Sequence, residues 1–187
     1  MADISLEHVE HMEHASKNKR VAVLIAALAA LLAITEGSGK SAQNESMIAN
    51  IEASDTWAFY QAKTIRMTTA NAIADAIEAS TPGNAAAQPK IDFWRNESKR
   101  FDSDPKGNEG RKELAKKAQN SEAKREISLA AYHNFEFGSG ALQIAIVLAS
   151  AGVITGVGLL IAGAAALGVI GAGLCALGWF APTLLHF

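Results

Sequence analysis

The sequence is poor in cysteine, proline and tyrosine, with one, four and two in 187 residues. A lone Cys175 supports neither a disulfide framework nor a cysteine-based metal site. The prolines stand at 82, 89, 105 and 182, so residues 1–81 and 106–181 contain no strong helix breaker. Charge is also missing in two places: no Lys, Arg, Asp or Glu lies between Arg20 and Glu36, and none follows Glu136. The 17 basic and 19 acidic residues are therefore crowded into the first 20 residues and the middle hundred. They form no basic stripe, which argues against a nucleic-acid partner, because such binding needs many phosphate-neutralising side chains on one surface.

What is present divides the chain into apolar ends and a polar middle. Val21 to Thr35 is an apolar run of 15 residues, shorter than the ~20 that cross a 30 Å hydrocarbon core. The acid-rich residues 1–20 before it are unlike the short basic start of a signal peptide, and no small-x-small cleavage site follows. The run is expected to be an uncleaved transmembrane helix (21–35) with Lys19 and Arg20 snorkelling at its end. The second apolar region, from Ala141 to Pro182, is too long for one span, and Thr155-Gly156-Val157-Gly158 is its natural break. Two further spans are expected, at 138–155 and 159–181, with Trp179 and Phe180 suited to an interface.

Small residues recur in this pair at packing intervals: Gly152 and Gly156, then Ala164, Gly168 and Ala172, with Gly171 and Gly173 beside them. In lipid such faces let backbones approach closely, which points to self-association through the hairpin. No Asp, Glu, Lys, Arg or His lies between Phe137 and Leu185, which speaks against energised transport; a passive pore needs none.

Residues 36–137 read as a helical extramembrane domain. From Ser41 to Ser80 there is neither Pro nor Gly, and a long helix is expected over about 41–80. Ile48, Ile51, Asp55, Ala58, Ala62, Ile65, Thr69, Ala72, Ala76 and Ala79 follow alternating steps of three and four, a coiled-coil pattern with mostly small knobs. Thr81-Pro82-Gly83-Asn84 ends that helix. A short helix is expected at about 91–101, with Phe93, Trp94 and Phe101 on a packing face, then a turn-rich loop at 102–108 and a helix over about 109–137. The expectation is an all-α integral membrane protein: three spans carrying an extramembrane helical hairpin or coiled coil.

Chemistry is sparse. Glu36-Gly37-Ser38-Gly39-Lys40-Ser41 resembles a phosphate-binding loop, but Ile34 stands where the first glycine must be and no strand precedes it. It reads as a short flexible joint, and neither nucleotide nor cofactor is implied. His8, His11 and His14 follow three glutamates at a period of three, a pattern in which two imidazoles and a carboxylate suit a divalent metal such as zinc, or in which the cluster responds to pH near 6; a solvated helix explains it more simply. Trp57, Tyr60 and Ile65 read as packing or oligomer contacts, with Lys63 and Arg66 outside them. Glu122 and Arg125 read as surface charges. No nucleophile, base and orienting group come together, so no enzyme is expected.

Glu36-Gly37, Asn50 through Arg66 (NIEASDTWAFYQAKTIR), Phe101-Asp102-Ser103-Asp104-Pro105, Gly110-Arg111-Lys112-Glu113-Leu114 and Leu142 through Ser150 (LQIAIVLAS) together resemble the bacterial membrane family called domain of unknown function 4337, over nearly the whole chain. The chain departs from those relatives at Gly156-Val157-Gly158, where they often carry basic residues. The resemblance implies a bacterial membrane protein and supplies no activity, substrate or catalytic residue; with three spans, a multi-pass place in the inner membrane is expected.

Lys17, Lys19 and Arg20 before the first span, against Lys40 alone after it, place the N-terminus in the cytoplasm and the helical domain in the periplasm; Lys124 and Arg125 before the second span pull the other way. The leading expectation is a non-enzymatic, self-associating scaffold whose partners are the lipid bilayer and further copies of the chain. The alternatives are a passive oligomeric channel lined by the last two helices and a metal- or pH-responsive sensor using the histidines.

Overall fold

The structure is a computed structural model that describes residues 2–185, with side chains from Lys19 onward. Among the described residues every long element is an α-helix: α1 (Ala2–Ser80), α2 (Gln88–Asp102), α3 (Arg111–Thr155) and α4 (Gly158–Phe180), followed by one 3₁₀ turn (Pro182–Leu184). Three stretches, Lys19–Ser80, Arg111–Thr155 and Gly158–Phe180, are helices long and apolar enough to cross a membrane. At 1.5 Å per residue the 23 residues of α4 are about 35 Å long, slightly more than a hydrocarbon core.

The helices end where local chemistry stops them. Thr81 closes α1 by returning both its amide and its hydroxyl to the Ile77 carbonyl. Gly83 then takes a φ of 73°, which a side chain rarely tolerates. Pro89 sits in the first turn of α2, where its missing N–H is harmless. Between α3 and α4 the chain reverses at Gly156, φ 74°, so the break falls inside Thr155-Gly156-Val157-Gly158.

One sequence reading is overturned. Glu36 to Ser41 is no flexible joint, because α1 runs through it without interruption. Two glycines cost a helix about 1 kcal/mol each against alanine, but they need not nucleate it, since strong helix formers lie on both sides. Gly39 is also used for packing: a Cβ there would lie 3.3 Å from the Phe135 Cβ.

The chain divides into two compact units, Met1–Glu45 with Ile127–Phe187, and Ser46–Glu126. In the first, parts of α1 and α3 pack with α4 in three layers. Val21, Ala149 and Ala164 form one layer, Leu28, Leu142 and Ala145 the next, and Ala42, Phe135 and Cys175 the third. Buried positions on α4 are Ala164, Gly168, Gly171, Cys175 and Gly178, at alternating steps of four and three. Small residues along that stripe bring the backbones together; a Cβ on Gly171 would lie 2.8 Å from Leu142 Cγ and 3.0 Å from the Gly138 carbonyl oxygen.

In the second unit the buried stripe of α1 is Ser46, Ala49, Ala53, Thr56, Lys63, Ala70 and Ala74. This is a different face from the isoleucine-bearing heptad in the sequence, of which only Ala62 is even half-buried. Leu114, Ala118 and Ser121 are the buried positions of α3 here. Helix α2 contributes Ile91, which packs with Ala74 and Ala87. Phe93 points out to solvent rather than to a packing face, whereas Trp94 and Phe101 are half-buried.

Candidate functional surfaces

The Ser46–Glu126 unit joins α1 to α3 through polar and aromatic side chains. Trp57 stands edge-on to Tyr60 with ring centroids 5.3 Å apart, and its indole N–H donates to the Glu122 carboxylate at 2.8 Å. Glu122 is therefore a specific acceptor for the indole, not a free surface charge. Arg125 donates to the Asn50 side-chain oxygen at 3.3 Å. Arg111 lies 5.2 Å over the Tyr60 ring, donates to its hydroxyl at 3.2 Å and also contacts Met67 Sδ. Its Nε is buried without a partner.

Lys63 differs from its sequence reading as an outward base. It is buried, with its ammonium 5.3 Å from the Phe59 ring, 5.8 Å from the Phe101 ring and 3.5 Å from the Glu109 carboxylate. Two aromatic faces and one carboxylate compensate its loss of water. The loop before α3 is ordered by Glu113, whose carboxylate accepts the Ser103 hydroxyl at 2.7 Å and the Asp104 amide at 3.1 Å. The Ser103 hydroxyl is the main cause holding the Glu113 carboxyl below its ordinary value, with the Asp104 amide and the Lys112 charge adding to it against partial burial. Asp104 in turn accepts the Gly107 amide, and Asn108 takes a φ of 55°. Gly110 has no room for a Cβ, which would strike Glu113, Asp104 and Ser103.

In the other unit the glycines singled out in the sequence divide into spent and unspent. Gly152 packs against Ile161, Ala164 is wholly buried, and Gly168 packs against Leu28, so all three serve contacts within the chain. Ala172 is half-buried, while Gly156 makes the turn and has open space around it. Of the earlier candidates, Trp57 and Tyr60 touch each other, whereas Ile65 is 64% exposed. His8, His11 and His14 lie outside the residues whose side chains are described. Among those that are, no three His, Cys, Asp or Glu side chains converge in a way that could hold a metal ion.

Two polar groups escaped the sequence reading. Asn134 is completely buried; its amide nitrogen donates to the Pro182 carbonyl at 2.9 Å, and its oxygen has no donor. Thr35 is equally buried, donating to the Leu31 carbonyl at 2.8 Å and lying 3.2 Å from Cys175 Sγ. Thr35 ends an apolar run, and Asn134 stands at the edge of one among charged neighbours. Neither position carries a periodic signal that separates burial from exposure.

Among known sequences, the signature of a family described as "Domain of unknown function (DUF4337)" matches residues 17–181. No curated protein and no solved structure matches the chain.

Proposed function

The chain belongs to the DUF4337 family of domains of unknown function, and we propose that it is a non-enzymatic scaffold of the bacterial inner membrane that assembles with copies of itself. One observation carries the membrane part. Only 17 to 28% of the residues in the three apolar windows are buried within the chain, so most of their apolar surface faces outward. Val23, Ile34, Val147, Ile154, Leu159, Val169 and Phe180 are among the exposed side chains. Water is a poor solvent for so large an apolar surface, and lipid satisfies it, because a helix meets its own backbone hydrogen bonds.

In this reading the spans are at 21–35, 138–155 and 159–181, and the helices of residues 36–137 form a coiled-coil hairpin outside the bilayer. The basic cluster before the first span favours a cytoplasmic N-terminus and a periplasmic domain. The bilayer and further copies of the chain are the partners. The close-packed glycines of α4 serve the fold of each copy, so assembly falls to the surfaces they leave free.

The test has two arms. Expressed in bacteria, the full chain should remain in the membrane pellet after alkaline carbonate; release into the supernatant overturns the membrane reading. Donor- and acceptor-labelled copies reconstituted together at high lipid-to-protein ratio should show energy transfer that unlabelled chain competes away. Transfer no greater than that of randomly diluted monomers overturns self-association.

A further inference from the structure

We propose that the outward heptad face of α1, centred on Ile48, Ile51, Ala58 and Ile65, pairs with the same face of a second copy in a parallel, two-fold arrangement. The inference rests on the scaffold reading for its parallel orientation, since copies anchored in one bilayer point the same way.

At 100° per residue this face lies about 150° around α1 from the buried stripe that holds Ala49, Ala53, Ala70 and Ala74. Ile48, Ile51 and Ile65 are each more than half exposed, and Met47 and Phe59 flank them. The row Ile48, Ile51, Asp55, Ala58, Ala62, Ile65, Thr69, Ala72, Ala76 and Ala79 keeps a strict seven-residue repeat. A straight helix drifts about 20° per heptad from such a repeat, so a row held over four heptads matches a supercoiled partner better than bulk water.

The identity of that partner follows from area and polarity. From residue 48 to 79 the row is about 47 Å long, and a helix is about 10 Å wide, giving about 470 Å² per copy and about 900 Å² in a pair. That exceeds the ~800 Å² of incidental contacts and falls short of the ~1,200 Å² of complexes that stand alone in solution. It suits copies already concentrated by a shared membrane. The α3 helix cannot supply the opposite surface, because its exposed residues here include Lys112, Lys116, Lys117, Gln119 and Asn120. The apolar complement that this unit offers is α1 itself. Asp55, exposed within the row, would meet Asp55 of the second copy, and the repulsion of two like charges there lowers affinity.

The experiment uses the full chain with Cys175→Ala and one new cysteine, oxidised mildly in native membranes and read on a non-reducing gel. Ile51→Cys, Ala58→Cys and Ile65→Cys should each give a covalent dimer at least tenfold above Gln119→Cys on α3. Adding Asp55→Asn should raise the Ala58→Cys yield severalfold, and Ile51→Glu with Ile65→Glu should reduce it to the Gln119→Cys level. Far-ultraviolet dichroism must show unchanged helicity in each variant. If the solubilised particle holds several copies but no seam position cross-links above the control, the seam is wrong and the scaffold reading stands. If the particle is a monomer, the scaffold reading fails and takes the seam with it. A cross-linked product of any mass other than two chains also overturns the pairing.

Discussion

Replacing Gly171 and Gly173 separately by alanine should have unequal effects on stability, although the two sites are two residues apart on the same helix. Alanine in a helix interior is favoured over glycine by about 1 kcal/mol, because the unfolded chain has less freedom to lose. At Gly173 a Cβ meets nothing within 4 Å, so the whole of that gain should remain. At Gly171 the Cβ would lie 2.8 Å from Leu142 Cγ and 3.0 Å from the Gly138 carbonyl oxygen, against an ordinary carbon contact of 3.5–4.0 Å. Leu142 is itself fully buried and the Gly138 oxygen is backbone, so neither can rotate away. Relief requires α3 and α4 to separate by roughly half an ångström or more, and overpacking of this kind costs about 1–3 kcal/mol. Gly171→Ala is therefore neutral to about 2 kcal/mol destabilising, and the two variants should differ by about 1–3 kcal/mol. Gly168→Ala should lie between them, since its Cβ meets the Leu28 Cδ2 methyl, a mobile side-chain end. Reversible unfolding in mixed micelles of increasing detergent denaturant, followed by dichroism, measures all three. Equal midpoints for Gly171→Ala and Gly173→Ala, or a more stable Gly171→Ala, would refute the packing of α4 against α3.

Leu142→Ala removes a fully buried side chain from the middle layer of the same unit and should cost about 2–5 kcal/mol in that assay. Trp57→Phe keeps the ring contact with Tyr60 but leaves the Glu122 carboxylate without its indole donor, and should destabilise the polar unit by about 1–2 kcal/mol in thermal unfolding. The Glu113 carboxyl is held below its ordinary value of 4.5, so its contribution to stability is present above that value and is lost as pH falls through the lower, folded one. Acid titration should show this loss in the native chain and a flatter curve for Glu113→Gln; identical curves would remove Glu113 from the account. Asn134→Ala should free the Pro182 carbonyl and speed hydrogen exchange at the amides of Ala181 and residues 183–185, with no change expected at α2.

The all-helical class was legible because the two charge-free stretches and the two proline-free ones leave helix as the economical conformation for most of the chain. Three apolar helices could be counted for the same reason. The side of α1 that turns inward was not legible. A row with three isoleucines reads as a coiled-coil seam, yet within the chain the structure buries Ala49, Ala53, Ala70 and Ala74 and leaves Ile48, Ile51 and Ile65 outside. The physical reason is the distance between helices: alanine and serine permit an approach that isoleucine prevents, so the least hydrophobic stripe can be the best packed. Lys63 misled for a related reason, since its burial depends on Phe101 and Glu109, some forty residues away. Gly37 and Gly39 resemble a joint by local propensity alone, which does not include Phe135, the residue that packs at Gly39. Asn134 and Thr35 carry no pattern at all, and only their partners at Pro182 and Cys175 mark them.

The self-assembling membrane scaffold proposed for this chain stands or falls on its copy number. Its most direct test is the mass of the particle extracted from native membranes into a mild detergent, weighed by native mass spectrometry after the detergent is stripped. A self-assembling scaffold gives a fixed integer multiple of the 19.6 kDa chain, two or more, in the undiluted extract. A particle of one chain at every concentration would contradict it.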